Sequence, residues 1–174
     1  MKQNAKQQRQ QFKEQTASKN FRYNRYLLLR YMLALFFFVN MYWTLGLLLS
    51  GQFSALLPGF LLVFSIKAIA EHVKLYNAKK NDLPQLRYNR LYHLVQLGVN
   101  LLMLLVALTG IAYPVFFPFL ETTFKARMIV ASVVLLGAAI AGICLKRIQS
   151  IEQNTDKHYQ YIKEFEKTMK FKEE

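Results

Sequence analysis

Four long apolar runs, separated by blocks of basic residues, constrain this chain more than any other feature of its sequence. A helix that crosses a bilayer needs about 20 predominantly apolar residues. The runs have that length, and they do not alternate between apolar and polar residues as the strands of a membrane barrel do. We therefore predict an all-α membrane protein with a bundle of four transmembrane helices. The predicted spans are Tyr31–Ser50, Phe53–Ala70, Leu91–Tyr113 and Met128–Leu145.

The second run is the shortest, because its uncharged part covers only Phe53–Ile66 and Lys67 follows directly. A lysine near the end of a span can extend its ammonium group to the headgroups while its apolar stem stays buried. A re-entrant hairpin is the alternative structure. The Pro58-Gly59 pair predicts a kink or the first turns of this helix.

Composition excludes two classes of protein. The net charge is +13, yet 53% of the residues are hydrophobic. A disordered basic chain needs low hydrophobicity, and an ordinary water-soluble domain does not carry four such runs. The single cysteine, Cys144, excludes an intrachain disulfide and is expected to pack as a small apolar residue. No aromatic–basic module of a known nucleic-acid-binding kind is present, so we expect no nucleic-acid partner.

Basic residues near the ends of the spans predict the orientation of the chain. They cluster before the first span, between the second and third spans and after the fourth, whereas only Lys125 and Arg127 lie between the third and fourth. Because the cytoplasmic side carries the excess of Lys and Arg, both termini should be cytoplasmic in a multi-pass protein of the cell membrane. The chain then divides into a basic arm (1–25), the bundle (26–147) and a cytoplasmic amphipathic helical tail (148–174).

Seven residues of the tail follow alternating steps of three and four, apolar except for Thr155 and His158 in the middle, which is typical of a helix that pairs along one stripe. The fourth helix would then continue into the cytoplasm and pair with a partner or with a second copy of the chain. The alternative is an amphipathic helix that folds back on the membrane or on the middle loop. The stripe consists of Ile148, Ile151, Thr155, His158, Ile162, Phe165 and Met169.

The tetrapeptide Arg-Tyr-Asn-Arg occurs twice, at positions 22–25 and 87–90. Each copy precedes an outward-running span, which suggests two tandem helical hairpins and a parallel duplication. Its two arginines share a helix face, and their forked donors fit a lipid phosphate. Ordinary positive-inside anchoring is the alternative role. The predicted headgroup ligands are Arg22, Arg25, Arg87 and Arg90.

The segment from Arg22 to Arg30, together with the hairpin layout, resembles small four-span membrane proteins of Gram-positive bacteria. Some of these are catalogued as cellobiose phosphotransferase components. The resemblance implies a bacterial sugar-uptake component in which a cytoplasmic histidine, such as His72 or His158, accepts phosphate. The four runs do not match the soluble phospho-carrier subunit of that system, which is a helical protein with a reactive histidine.

Two asparagines interrupt the apolar runs at matching positions. Asn40 and Asn100 each lie nine residues beyond the first residue of an outward-running span, on the order of 13 Å from the cytoplasmic boundary. A facing pair would hydrogen-bond between helices, at about 0.6–2 kcal/mol per bond. Alternatively, both asparagines would line a cavity and, with Lys67, bind a polar solute.

The fourth span carries small residues spaced by four, which permit two helices to approach closely. We predict that this helix lies at the centre of the bundle or at a dimer interface. The alternative is the ordinary composition of a membrane helix. The packing residues are Gly137, Ala138, Ala141 and Gly142.

Nothing in the sequence specifies an enzyme. No phosphate-binding glycine loop, nucleophile elbow or zinc-protease motif occurs, and Glu71, His72 and His93 lack the paired spacing of metal ligands. The first, third and fourth spans contain no charged residue of the kind that ion-coupled carriers usually need. We predict a non-enzymatic accessory or scaffold subunit, without cofactor or metal, that binds lipid and either another membrane or cytoplasmic protein or its own copy. A small transporter or channel, and a sugar-uptake component, are the alternatives.

Overall fold

The structure is a computed structural model that describes residues 12, 16, 20, 23–77 and 86–170. Every regular element among these residues is a helix. Four helices are long and two are short, and a 3-10 turn at Phe53–Ala55 joins the first two. The long helices are α1 (Leu27–Leu49), α2 (Leu56–Asn77), α3 (Arg87–Thr109) and α5 (Phe124–Glu152), and the short ones are α4 (Tyr113–Phe116) and α6 (Lys157–Lys170).

The four long helices have the length and composition needed to cross a membrane. Each contains an 18-residue window with a mean hydropathy of 1.9 or higher. This confirms the predicted all-helical architecture with four helices of spanning character. The helices extend beyond the apolar runs: α1 begins at Leu27 and α3 at Arg87, because polar residues at a helix end can stay helical while their side chains reach water.

The second long helix is continuous, in contrast to the alternative of a re-entrant hairpin. Gly51 adopts a left-handed φ of 67° in the tight connection after α1. Pro58 is the third residue of α2, where a missing backbone N–H leaves no helical hydrogen bond unmade. The proline therefore belongs to the first turn of the helix, and α2 runs on to Asn77.

The long helices form two antiparallel hairpins, α1–α2 and α3–α5. The most extensive interface joins α3 to α5, α1 packs on α2, and α2 packs on α3. In contrast, α1 and α5 touch only slightly, so a cleft remains between them. The beginnings of α1 and α3 and the ends of α2 and α5 meet at one end of the bundle, which we call the basic end. Its defining contacts join Arg25 to Asp156, Glu71 to Asn89 and Arg90 to Glu152.

Buried side chains form three clusters along the bundle axis. Leu29, Cys144 and Ile148 belong to the cluster at the basic end, and Phe36 and Tyr92 belong to the middle one. The third cluster lies at the opposite end, around Met103 and Tyr113. Many large apolar side chains point outward instead, and such a surface is typical of helices apolar enough to cross a membrane.

The tail differs from one uninterrupted helix, because a turn separates α5 from α6. Asn154 adopts a left-handed φ of 55°, a conformation that asparagine tolerates better than most residues. Asp156 accepts the backbone N–H of Tyr159 at 3.2 Å and so caps the start of α6. The predicted stripe is therefore divided between two helices. The side chains of Phe165 and Met169, and most of the basic arm, lie outside the described residues.

Candidate functional site: an amide cluster, a cleft and a basic end

Four polar side chains form a hydrogen-bonded group inside the bundle, which we call the amide cluster: Asn40 of α1 and Tyr92, Gln96 and Asn100 of α3. The Asn40 Nδ2 atom donates to Gln96 Oε1 at 2.8 Å, and Gln96 Nε2 donates to Asn100 Oδ1 at 3.0 Å. The Tyr92 hydroxyl lies 3.3 Å from both Asn40 Nδ2 and Gln96 Oε1. Asn40 is 1% exposed and Gln96 is 3% exposed.

The helical repeat places these residues together. Tyr92, Gln96 and Asn100 are spaced by four, so they share one face of α3. Asn40 and Asn100 both belong to this cluster, as members of the predicted pair. They are bridged by Gln96, however, and no direct hydrogen bond joins them. Tyr92 and Gln96 were not predicted from the sequence, although their spacing of eight and four residues from Asn100 was the available signal.

Helix α5 packs closely against the amide cluster at Gly137. A Cβ atom on Gly137 would lie 2.9 Å from Asn100 Nδ2, so glycine is what lets the amide approach the α5 backbone. Ala138 and Ala141 are also buried, whereas a Cβ on Gly142 would meet no atom within 4 Å. Three of the four predicted packing positions thus lie against other helices, and Gly142 has open space beside it.

A cleft of about 550 Å³ lies between α1, α3 and α5, beside the amide cluster. Asn40, Gln96 and Asn100 contribute its polar surface, and its other walls are apolar. The Asn100 Nδ2 atom is buried and forms no hydrogen bond within the described part of the chain. Lys67 does not line this cleft, and its side chain is exposed on α2.

The loop between α3 and α5 closes the cleft at the end opposite the basic end. Trp43 Nε1 donates to the Phe116 carbonyl at 2.9 Å, and the Trp43 ring stacks on Phe117 with a centroid separation of 5.8 Å. A Cβ on Gly46 would lie 3.0 Å from the Phe119 ring. The loop is therefore packed onto α1 by its aromatic side chains.

Arg127, in the first turn of α5, binds the end of α3. Its Nε atom donates to the Ala107 carbonyl at 2.9 Å, and its Nη2 atom donates to the Leu108 carbonyl. Gly110 ends α3 with a left-handed φ of 78° and lies directly under the guanidinium. A cation at this position satisfies carbonyls that the helix leaves unpaired and complements the helix dipole.

At the basic end, Arg25 is buried against the turn between α5 and α6. Its Nη2 atom lies 2.6 Å from Asp156 Oδ1 and also donates to the Ile151 carbonyl at 2.9 Å and to Asn154 Oδ1 at 2.9 Å. The side chains of Arg25 and Asp156 are 7% and 0% exposed. Because these acceptors of the same chain bind the guanidinium, Arg25 is paired within the protein and not exposed for the predicted headgroup. Arg22 lies outside the described residues.

The second copy of the tetrapeptide occupies a different environment. Asn89 is buried and donates from Nδ2 to Glu71 Oε2 at 2.7 Å. The Glu71 carboxylate also accepts the backbone N–H groups of Tyr88 and Asn89, at 3.1 and 2.9 Å, and so caps α3. Arg87 is exposed, and Arg90, with 61% of its side chain exposed, lies 3.6 Å from Glu152. These two arginines remain at the surface, where a headgroup can reach them.

The three histidines lie apart from the cleft. His93 is fully buried, with Nδ1 2.8 Å from the Asn89 carbonyl, and His158 Nδ1 lies 3.1 Å from Arg147 Nη2. His72 is 5% exposed and lies beside the Asn89 side chain, and among the described residues neither of its ring nitrogens has a partner in hydrogen-bonding geometry. Among the residues that the structure describes, no three His, Cys, Asp or Glu side chains are grouped so as to hold a metal ion.

No known protein family, curated protein or solved structure matches this chain. The resemblance to four-span proteins catalogued with the cellobiose phosphotransferase therefore stays a prediction. The geometry itself offers two regions for function. One is the cleft with its amide cluster, and the other is the basic end, where the two chain segments that flank the bundle are joined by Arg25 and Asp156.

Proposed function

We propose that this chain is a non-enzymatic integral protein of the cell membrane that acts as an accessory or scaffold subunit. Its basic end, on the cytoplasmic side, binds anionic lipid and a membrane or cytoplasmic protein. The observation that carries the proposal is the arrangement at the basic end, where Arg25 and Asp156 fix the tail to the beginning of α1. Exposed cations surround this junction, so a partner meets an ordered charged surface.

The charge of the bundle is unevenly distributed between its two ends. At the opposite end Lys125 is exposed, whereas Arg127 is bound to carbonyls of α3. A basic residue near an anionic membrane contributes about 1 kcal/mol of attraction, so the basic end favours anionic lipid. Among the described residues, the exposed cations of this end are Lys74, Arg87, Arg90, Lys146, Lys157, Lys163 and Lys167.

Helix α6 supplies a surface suited to a protein partner. Ile162 is 8% exposed, whereas Tyr161, its neighbour in sequence, is 57% exposed. The side chain of Tyr161 therefore points away from the bundle, on the same face of α6 as the exposed Lys157 four residues before it. Tyrosine is enriched in protein interfaces, because it buries a large area with few rotatable bonds.

Site-specific crosslinking in native membranes tests the proposal. A photoreactive residue replaces Tyr161, and a control copy carries it at Leu49, which is 90% exposed at the other end of α1. We expect a defined adduct with one protein from position 161 that is absent from position 49. The adduct should weaken when Asp156→Asn loosens the tail. Identical adducts from both positions, or none from position 161, would contradict a scaffold role for the basic end.

Transport is the second candidate function, and the cleft is the observation that favours it. Its volume of about 550 Å³ and its three amide side chains suit a small polar solute. Flux of small sugars and amino acids into liposomes that contain the purified protein tests this candidate. Flux that is abolished by Asn100→Leu would favour transport and count against the scaffold, whereas flux equal to that of protein-free liposomes would count against transport.

A further inference from the structure

A groove of about 480 Å³ runs between α1 and α2 at the basic end, separate from the cleft. Its polar residues are Arg30 and His72, and all its other lining residues are apolar. Several of these apolar side chains are exposed on the flank of the bundle, so the groove opens toward the surrounding lipid. The apolar lining consists of Leu33, Ala34, Phe37, Phe38, Ile69 and Val73.

His72 is a buried polar group whose hydrogen-bonding partner is missing from the described part of the chain. It is 5% exposed, and neither ring nitrogen is hydrogen-bonded. The Asn89 side chain interacts with the ring, but no atom pair between them reaches hydrogen-bonding geometry, and Asn89 Oδ1 is likewise unpaired among the described residues. Buried polar groups are nearly always paired, and an imidazole carries at least one N–H donor in every protonation state. An acceptor entering the groove would complete this ring.

Arg30 supplies a positive charge at the same place. Its guanidinium lies 4.1 Å from the centroid of the Tyr23 ring, and its charge acts on the His72 ring. Within the residues described, no carboxylate pairs with Arg30. Two donor groups beside one another, one of them cationic, repel a cation and attract an anion. The forked guanidinium matches phosphate oxygens in particular.

We propose that this groove binds one anionic phospholipid, with its phosphate at Arg30 and His72 and an acyl chain along the apolar wall of α1 and α2. The positive charge of Arg30 favours a lipid with an anionic headgroup. The opening of the groove on the flank of the bundle favours a lipid from the membrane over a soluble phosphate. The inference rests on the lipid-binding part of the proposed function and gives it a specific site. In this proposal the headgroup ligand of the first hairpin is Arg30. Arg25 is not available for that role, because its guanidinium is paired with Asp156.

Native mass spectrometry of the full-length protein in detergent tests the site. Phosphatidylglycerol and phosphatidylcholine with identical acyl chains are titrated, and the affinity of the first bound lipid is compared. We expect phosphatidylglycerol to be preferred, and Arg30→Gln to weaken its binding about tenfold, as loss of a charge-assisted hydrogen bond does. His72→Phe, which keeps an aromatic ring but removes both ring nitrogens, should weaken the same binding event. Lys146→Gln is the matched control, because it removes one exposed cation from the same end but outside the groove.

A second variant tests the apolar wall without altering charge. Ala34→Trp fills the groove from an exposed position of α1, where a change of size leaves the core intact. We expect it to displace the lipid, and we expect phosphatidylglycerol with a photoreactive acyl chain to label residues 33–38 in the unaltered protein only. Size-exclusion chromatography shows whether each variant remains folded.

Three results would overturn the site. The first is equal binding of the two lipids, and the second is equal weakening of phosphatidylglycerol binding by Arg30→Gln and Lys146→Gln. The third is displacement of the bound photoreactive phosphatidylglycerol by free oleate but not by unlabelled phosphatidylglycerol. The crosslink from position 161 separates this failure from failure of the proposed function. A lipid site that fails while that adduct persists leaves the scaffold proposal standing. Loss of the adduct with lipid binding intact would contradict the scaffold and leave the site standing.

Discussion

The guanidinium of Arg25 and the carboxylate of Asp156 lie 131 residues apart in the chain and form a buried ion pair with an Nη2–Oδ1 distance of 2.6 Å. The Nη2 atom of Arg147 lies 3.9 Å from Oδ2 of the same carboxylate. The central carbon of the Arg25 guanidinium lies over the Tyr159 ring, 5.1 Å from the ring centroid. The pair therefore joins the segment before α1 to the turn after α5. Together with the Arg25 bonds to Ile151 and Asn154, it holds the start of α6 at the basic end.

Loss of the Asp156 charge should release the tail. Asp156→Asn keeps a side chain that caps α6 but leaves the buried Arg25 without its anion, a change that typically destabilises a protein by about 3–5 kcal/mol. We expect trypsin to cleave at Lys157 and Lys163 well before it does in the unaltered protein, as measured by limited proteolysis in detergent. Glu152→Gln is the control, because its exposed pair with Arg90 contributes about 1 kcal/mol or less. Equal cleavage rates in the two variants would contradict a specific role for the buried pair.

Gln96 should matter most among the members of the amide cluster. Gln96→Leu removes hydrogen bonds to Asn40, Asn100 and Tyr92, and interhelical bonds of this kind contribute about 0.6–2 kcal/mol each. We expect the free energy of unfolding to fall by about 1–3 kcal/mol, measured by steric trapping in bilayers. Tyr92→Phe, which removes only the hydroxyl, is the conservative comparison and should have a smaller effect. A larger loss from Tyr92→Phe would show that Gln96 is not the centre of the network.

Two glycines of α5 should respond oppositely to the same substitution. Gly137→Ala places a methyl group 2.9 Å from Asn100 Nδ2, so the amide must move and weaken its bond to Gln96. Overpacking of this kind destabilises by about 1–3 kcal/mol. Gly142→Ala meets nothing within 4 Å, and alanine is favoured over glycine inside a helix by about 0.5–1 kcal/mol. Thermal unfolding of the two variants checks this, and equal shifts would contradict the observed packing of α3 on α5.

Arg127 should stabilise the α3–α5 hairpin through its hydrogen bonds to the end of α3, and not only through its positive charge. Arg127→Gln removes the donors that reach the Ala107 and Leu108 carbonyls, and we expect a loss of about 1–3 kcal/mol because those carbonyls lose charged partners. Lys125→Gln removes the same charge from an exposed neighbouring position and should change the unfolding temperature little. If both variants unfold at the same temperature, the capping contact contributes nothing measurable.

Cysteine labelling checks the predicted orientation. Cys144 is buried, and Cys144→Ala supplies a cysteine-free background. In that background, a membrane-impermeant reagent should label Thr122→Cys in intact cells, because the loop before α5 is predicted to be outside. Lys163→Cys should react only after the membrane is permeabilised, because basic residues accumulate on the cytoplasmic side. Labelling in the reverse pattern would invert the topology and place the basic end outside the cell.

Some of the architecture follows from local sequence, because hydrocarbon admits few alternatives to a helix. A backbone without water must satisfy its own hydrogen bonds, so four long apolar runs determined four long helices. Counting along a regular helix placed Asn40 and Asn100 at matching positions of two spans, and both side chains belong to the amide cluster. The cap at Asp156 and the spacing of Tyr92, Gln96 and Asn100 were also present in the sequence, although they were not recognised there.

Which polar groups meet was decided by the tertiary structure. The apolar pattern of each helix does not specify which neighbour it faces, so the sequence alone did not show that Gln96 bridges two asparagines or that Lys67 stands apart. Nor did it separate the roles of two arginines in one segment. Arg25 is buried because the turn after α5 brings Asp156 to it, whereas Arg30 lines a groove between α1 and α2 together with His72. Long-range contacts of this kind depend on how whole helices pack, and a local pattern carries no information about the distant partner.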